Sequence, residues 1–391
     1  MYSPSHSVFL PTEVVFLVAE FLDQIDEDES SQALLARQRA FYSFCLVSRQ
    51  WYSVGISFLY QAPFFPAGNG FIKFAHTLCP PRGVKRKADL GSLVKTLSLE
   101  SLVHHSTNSL TARLLGRVKE NLRFFIAPRV SFSVNCLPAL SKCHNLLVLN
   151  LSIISGQAIP FPRLKKTISS LPKLKKLELP PSMFLTHTDE SAGQWPPELR
   201  SMKIGGTLDP SVMSTFEWPP SIAELSIRKC TNLNAVVLYS VLENEQLRER
   251  LQSLDLDNTN EKMFTDQASD GLYWLPNLIY LRIPVDVTKD LLLLPPPEGL
   301  PSLPLRALEL TRPYFDGESL EFNLPDELLK AFNQNMANLW ALGISEKCLH
   351  MVKEREEELD EEIWKHIDEG DDDDLEKLED LGLYTLNDNN S

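Results

Sequence analysis

VKTLSL (94–99), LRFFIA (122–127), LLVLNL (146–151), LKKLEL (174–179) and LRSMKI (199–204) share the pattern apolar-x-x-apolar-x-apolar. Five more copies follow: IAELSI (222–227), LQSLDL (251–256), LIYLRI (278–283), LRALEL (305–310) and LWALGI (339–344). Successive copies start 28, 24, 28, 25, 23, 29, 27, 27 and 34 residues apart. One such hexapeptide means little, whereas ten at a near-constant spacing mark a repeat architecture. Alternation inside each copy makes a short strand whose second apolar pair points inward, and the neighbouring repeats supply the backbone partners a lone strand lacks. Leu171-Pro172, Pro196-Pro197, Pro219-Pro220 and Leu275-Pro276 fix the chain as it enters the next strand. The expected fold class is therefore α/β, with a parallel-sheet solenoid of about ten repeats over residues 91–346.

Ahead of the repeats the periodicity changes from two to near 3.6. Pro11, Thr12 and Glu13 are suitable start residues, and the apolar run after them predicts a short amphipathic helix over 12–22. DQIDEDESSQ (23–32) has no apolar period and reads as a solvated loop. Leu34, Leu35, Phe41, Phe44, Cys45, Val47, Trp51, Val54, Phe58 and Leu59 then recur mainly at three- and four-residue intervals, which predicts two helices dividing near Ser48. A module of this size with so much aromatic surface needs a partner or the next domain to cover it.

LPTEVVFLVAEFL (10–22) followed by LVSRQWYSVGISFLY (46–60) resembles the F-box, especially the degenerate form common in fungal proteins. Leu10-Pro11 matches the opening of the family's first helix. Leu46-Val47-Ser48-Arg49-Gln50-Trp51 matches its closing Leu-Val-(Cys/Ser)-(Arg/Lys)-x-Trp segment, so the likeness covers about residues 8 to 60. The acidic insertion departs from the pattern. The resemblance implies a Skp-type adaptor and, through it, a cullin as partners. It places Leu10, Pro11, Val14, Leu17, Val18, Leu46, Val47 and Trp51 on the adaptor-facing surface or in the core behind it. By their own chemistry the same residues read as core, since amphipathic-helix positions usually face their own domain.

The repeats resemble the irregular leucine-rich repeats of F-box proteins, a likeness that implies a horseshoe with a concave binding face. The x positions assigned to that face are Lys95, Lys175, Lys176, Arg200, Lys203, Glu224, Arg228, Asp255, Tyr280, Arg282, Arg306 and Trp340, and bases outnumber acids among them. Lys175, Lys176, Arg200, Lys203, Arg228, Tyr280, Arg282, Arg306 and Trp340 are the candidate substrate surface, which a weakly basic character would suit to acidic or mixed-charge proteins. An asparagine ladder is poor, with Asn258 one of few candidates.

The domains expected are a helical module over 1–62, a Pro- and Gly-containing linker over 63–90, the solenoid, and an acidic helical or disordered tail over 347–391. The run RGVKRK (82–87) in the linker is either a nuclear address or plain solvated charge. LLLLPPPEGLPSLP (291–304) reads as an inter-repeat loop at the solenoid edge. In the tail, Leu349, Val352, Leu359, Ile363 and Ile367 form one helical stripe, EGDDDD (369–374) is too charged to bury, and LEKLEDLGLY (375–384) suits another short helix. Residues 352–391 carry 17 of the chain's 52 acids and four of its 38 bases, leaving 35 acids against 34 bases elsewhere. The body is near neutral, so a nucleic-acid surface is not indicated. A solubilising tail, or one competing with ligand for the basic face, both suit that charge.

The six cysteines have no CxxC pair or framework spacing, which points to a reducing compartment, cytoplasmic and/or nuclear. Cys136, Cys143 and His144 lack a fourth zinc ligand and read as packed core, and the His104-His105 pair has no third. No window suits a signal peptide or membrane span. GxSxG, HExxH, Walker A and strand-following GxGxxG motifs are absent, so neither a catalytic site nor a cofactor is expected. Two functions fit: the substrate receptor of a Skp-cullin-F-box ubiquitin ligase, or a non-catalytic repeat scaffold whose F-box-like helices only cap the solenoid.

Overall fold

A computed structural model of the chain describes residues 10–24, 31–66, 68–80, 89–102, 107–155, 158–188, 190–260, 272–288, 303–313, 323–334, 336, 338–368 and 381–386. These form two compact units, one within 1–157 and 170–174, the other within 158–169 and 175–391.

The first unit opens with helices α1 (Thr12–Gln24), α2 (Ser31–Val47) and α3 (Arg49–Gln61). The break falls at Ser48, whose side chain accepts the Trp51 amide N–H (3.3 Å), an N-cap that satisfies one orphan donor of α3. Val15 and Ala19 of α1 meet Phe41 and Phe44 of α2 and Val54 and Phe58 of α3 in one core. The Phe41 and Phe58 rings stack at 5.2 Å, and Arg37 of α2 donates to Asp23 of α1 across the top of the bundle (2.7 Å). Within the stretch read as linker, Gly68–Leu78 forms a further helix, α4, burying Phe71, Phe74, Ala75 and Leu78. Those residues sit at i, i+3, i+4 and i+7, a helical stripe that the surrounding Gly and Pro obscured.

The first unit also holds strands β1 (Thr96–Ser98), β2 (Phe124–Ile126) and β3 (Val148–Asn150), parallel, with Leu97 beside Phe125 and Phe125 beside Leu149. The second holds β4 (Lys176–Glu178), β5 (Ser201–Gly206), β6 (Glu224–Cys230), β7 (Ser253–Leu256), β8 (Tyr280–Pro284), β9 (Ala307–Thr311), β10 (Ala341–Ser345) and β11 (Gly382–Leu386). Each pairs in parallel with the next, so the sequence order is the spatial order of a leucine-rich-repeat solenoid.

Every one of the ten hexapeptides starts its strand at its third residue. The first, fourth and sixth residues of all ten are at most 3% exposed, so these apolar positions build the core of both units. The second residue's carbonyl stitches repeats together. Arg200 O accepts from Ala223 N and Glu224 N (2.8 and 2.9 Å), Ala223 O from Gln252 N and Ser253 N, and Arg306 O from Trp340 N and Ala341 N.

Three asparagines that bridge repeats stand one residue before a hexapeptide, away from Asn258. Asn121, Asn145 and Asn277 donate to the carbonyls of Ser92, Glu120 and Glu249, one repeat back, at 2.6–2.8 Å, and Ser221 does the same to Pro197. Near Asn258 it is Asn260, fully buried, that bridges repeats: it accepts from Cys230 N (2.9 Å) and donates to Ile227 O (2.7 Å).

The tail departs from expectation in one element. Val352, Leu359, Ile363 and Ile367 are buried, the last three on the helix Glu356–Asp368. LGLY, expected to be helical, instead leads into β11, which extends the sheet beside β10. The run 82–87, His104-His105, residues 289–302 and EGDDDD lie outside the described residues.

Candidate functional site

Two surfaces follow from these elements. The first is the outer side of the N-terminal helices. Val14, Leu17, Val18 and Phe21 run along α1 at i, i+3, i+4 and i+7, and all four are exposed, Leu17 to 61% and Phe21 to 66%. Leu46 and Val47, at the end of α2, are 68% and 61% exposed. The two sets are held near one another because Gln50, two residues into α3, donates to Leu10 O (2.7 Å) and Thr12 Oγ1 (3.2 Å) at the start of α1. Pro11 is exposed at that junction. Leu10 and Trp51 differ in kind: both pack against the bundle core, the Trp51 ring 4.5 Å from that of Phe44. Phe21 belongs to the same stripe, one turn beyond Val18, where the set of adaptor-facing residues read from the sequence on this helix ends.

The second surface is the outward face of β4–β9. Its rows are the third and fifth residues of each hexapeptide, and here opposite charges alternate. Lys203 lies 3.4 Å from Glu178, whose other oxygen is 3.8 Å from Lys176. Arg228 reaches Asp255 through Nη2 (2.8 Å) and Nε (3.1 Å) and Asp257 through Nη1 (3.4 Å). Arg282 faces Glu309 (3.3 Å), which also accepts the Tyr384 hydroxyl of β11 (3.0 Å). Five acids, Glu178, Glu224, Asp255, Asp257 and Glu309, thus stand among four bases, Lys176, Lys203, Arg228 and Arg282, and all but Glu224 are joined in ion pairs. The face is mixed in charge where a weakly basic surface was expected.

Arg228 stands beside an irregularity. The β5–β6 register shifts between Ile204 and Gly206, and Lys229 takes φ 54°. The Arg228 carbonyl lies against Gly205, 2.2 Å from where a Cβ would stand. Burial works against the Arg228 guanidinium, but Asp255, by charge and hydrogen bonding, and Asp257 outweigh it and raise its pKa above the ordinary value. Burial pushes the Lys203 ammonium down, opposed by Glu178 and aided by Arg228. Burial and then Glu309 push the Tyr280 phenol up. A polar cavity of about 170 Å³ lies over β4–β8. There Asp255 Oδ1 and Arg282 Nε, on paired residues of β7 and β8, are buried with no hydrogen-bond partner among the described residues.

The remaining candidates do not join this cavity. Lys175, Arg200, Arg306 and Trp340 are second residues of their hexapeptides and lie at the strand entry. Lys175 makes a loose, exposed pair with Glu198 (3.9 Å), Arg306 stacks over Trp340 (4.6 Å), and Arg200 lines a separate cavity with Glu249 and Arg250. Cys136 and Cys143 are buried in the first unit, and His144 Nδ1 lies 3.1 Å from Ser170 O. Among the described residues no three His, Cys, Asp or Glu side chains converge on a metal site, and no helix is long and apolar enough to cross a membrane.

Against known proteins, no family model matches the chain. It is 28% identical over 290 residues to the F-box protein YDR306C of Saccharomyces cerevisiae, covering 73% of this chain and 59% of that one. The chain is a relative of a yeast F-box protein. It is also 27% identical over 236 residues to Protein pof5 of Schizosaccharomyces pombe, covering 59% of this chain and 61% of the relative. It therefore spans about three fifths of the length of the curated relatives it matches. Among solved structures it is similar to the complex of Rad7 and Elc1 in yeast (TM-score 0.37, 15% identity, 79% of this chain and 91% of that chain). It is also similar to an internalin of Listeria monocytogenes (TM-score 0.33, 14% identity, 73% and 90%). The solenoid itself rests on the strand register of this chain.

Proposed function

We propose that the chain is the substrate-recognition subunit of a Skp-cullin-F-box type ubiquitin ligase, cytoplasmic and/or nuclear. In this reading α1 and the α2–α3 corner dock the Skp-type adaptor, and the outward face of β4–β9 holds a protein substrate. The chain supplies no catalytic residue, and ubiquitin transfer takes place on partner subunits. The observation that carries the reading is the apolar stripe Val14, Leu17, Val18 and Phe21 beside Leu46 and Val47, left exposed on a module whose own core is already complete. An apolar helix face of this kind is what docks into a groove of a helical partner. The name of the Saccharomyces relative points the same way. Pro11, Val14, Leu17, Val18, Leu46 and Val47 then touch the adaptor, while Leu10 and Trp51 hold the surface in place from behind.

The test is co-purification of the full chain with a recombinant Skp-type adaptor, beside Leu17→Asp/Leu46→Asp, with thermal melting of both. Each side chain is more than half exposed, so the variant is expected to melt with the parent and to lose the adaptor. Failure of the parent to bind an adaptor would leave the repeat-scaffold reading in its place.

A further inference from the structure

The first unit contains a cavity that neither surface above uses. It lies among α2, α3, the turn at Pro63–Phe65 and α4, and has a volume of about 330 Å³, within the range of small-molecule sites. Its walls are aromatic: Tyr42, Tyr60, Phe65 and Phe74, the last two 5.0 Å apart and Tyr60 6.0 Å from Phe74. Such a packed wall is rigid and apolar. Two of the neutral polar groups around it are engaged within the unit. Gln38 Oε1 accepts the Phe64 amide (2.7 Å), and the Thr77 hydroxyl donates to Lys73 O (2.8 Å). The charged lining residues are Arg39 and Lys73, both at exposed positions, and no Asp or Glu stands among the lining side chains. Gly70 opens one wall, since a Cβ there would meet nothing within 4 Å.

We propose that this cavity binds a small amphipathic anion, with an aromatic or short acyl body and one carboxylate or sulfonate. The body leaves water against the four aromatic side chains, and the two cations at the rim select an anionic head over a neutral one. An attraction seated at exposed Arg39 and Lys73 weakens as salt rises. A cationic ligand is disfavoured by both rim charges. The site stands apart from the receptor reading, because none of Val14, Leu17, Phe21, Leu46 or Val47 lines it.

The experiment titrates the full chain with 8-anilinonaphthalene-1-sulfonate at low salt and displaces the dye with 4-phenylbutyrate or with its uncharged isostere 4-phenylbutyramide. A saturable site is expected, from which the acid displaces the dye at least ten times better than the amide. Gly70→Leu, which fills the cavity, is expected to weaken dye binding at least tenfold at unchanged melting temperature. Arg39→Glu/Lys73→Glu is expected to weaken it about tenfold at low salt and far less at high salt. Leu17→Asp/Phe21→Asp, which puts charge into the exposed apolar stripe of α1, should leave the site intact. The proposal is overturned if no saturable binding occurs, if the amide competes as well as the acid, or if the dye is lost with the α1 variant. Should Gly70→Leu melt early, the charge-reversal variant at its two exposed positions decides: unchanged affinity there also overturns it.

Discussion

Removing the Arg228 side chain tests the view that the outward face of β4–β9 is a set of mutually dependent ion pairs. In Arg228→Met the aliphatic stem is kept, but Asp255 and Asp257 lose their guanidinium while remaining in place, with side chains only 14% and 5% exposed. Breaking a fully buried pair from one side costs about 3–5 kcal/mol, and the residual exposure of Asp255 and Arg228 (16%) lowers the expectation to about 2–4 kcal/mol. Asp257 keeps one partner, the Thr259 amide at 2.7 Å, which also argues against the upper end. Arg228→Met/Asp255→Asn/Asp257→Asn, which leaves no charge unpaired, should recover at least half of the loss. Because a repeat array opens locally, the assay is native-state hydrogen exchange on the amides of β6–β8, with urea unfolding beside it. A single variant costing under about 1 kcal/mol, or a triple variant no better than the single, would refute the reasoning.

Three further outcomes are expected. Burial pushes the Cys143 thiol up to about 12, so it should stay unlabelled by a thiol reagent at pH 8 in the folded chain and react once unfolded. Since the folded state keeps that proton longer than the unfolded one, its contribution to stability is full below about pH 9 and is lost as pH rises toward 12, which Cys143→Ala should abolish in a stability-versus-pH series. The Tyr280 phenol is likewise held up by burial and Glu309, so Tyr280→Phe should remove a late-ionising phenol from the phenolate absorbance titration. Gly205→Ala would put a Cβ 2.2 Å from the Arg228 carbonyl, and a drop in melting temperature smaller than that of a neutral surface substitution would contradict the close approach described.

The strands were legible because their signal is local. Apolar residues at places one, four and six of a hexapeptide need no knowledge of the rest of the chain to fix which side faces inward. The division of α2 from α3 was legible for the same reason, through Ser48. What escaped depends on distant residues or on broken patterns. β11 was missed because its hexapeptide, DLGLYT from Asp380, keeps an apolar residue only at its second and fourth places. The bridging asparagines escaped because Asn121, Asn145 and Asn277 lie ahead of the motif. The candidate surface was read one residue early, which drew in Lys175, Arg200, Arg306 and Trp340, all at the strand entry. The pairing of Arg228 with Asp255 joins two adjacent repeats, which no spacing within one repeat reveals. Exposure of Leu17 and Leu46 against burial of Val15 and Phe44 is likewise a tertiary fact, since all four suit a helix face.

The carbonyl that accepts two amides from the following repeat has a consequence for how such a chain can change over generations. Within each unit, the second and third hexapeptide residues must each keep an N–H, which excludes proline there. The chain's 27 prolines respect this, none falling inside any of the ten hexapeptides. The segments between hexapeptides are bound to the preceding repeat at single points such as Asn121, Asn145, Asn277 and Asn260 and not by a doubled backbone contact, so spacings from 23 to 34 residues fit while the stitched rows stay in step.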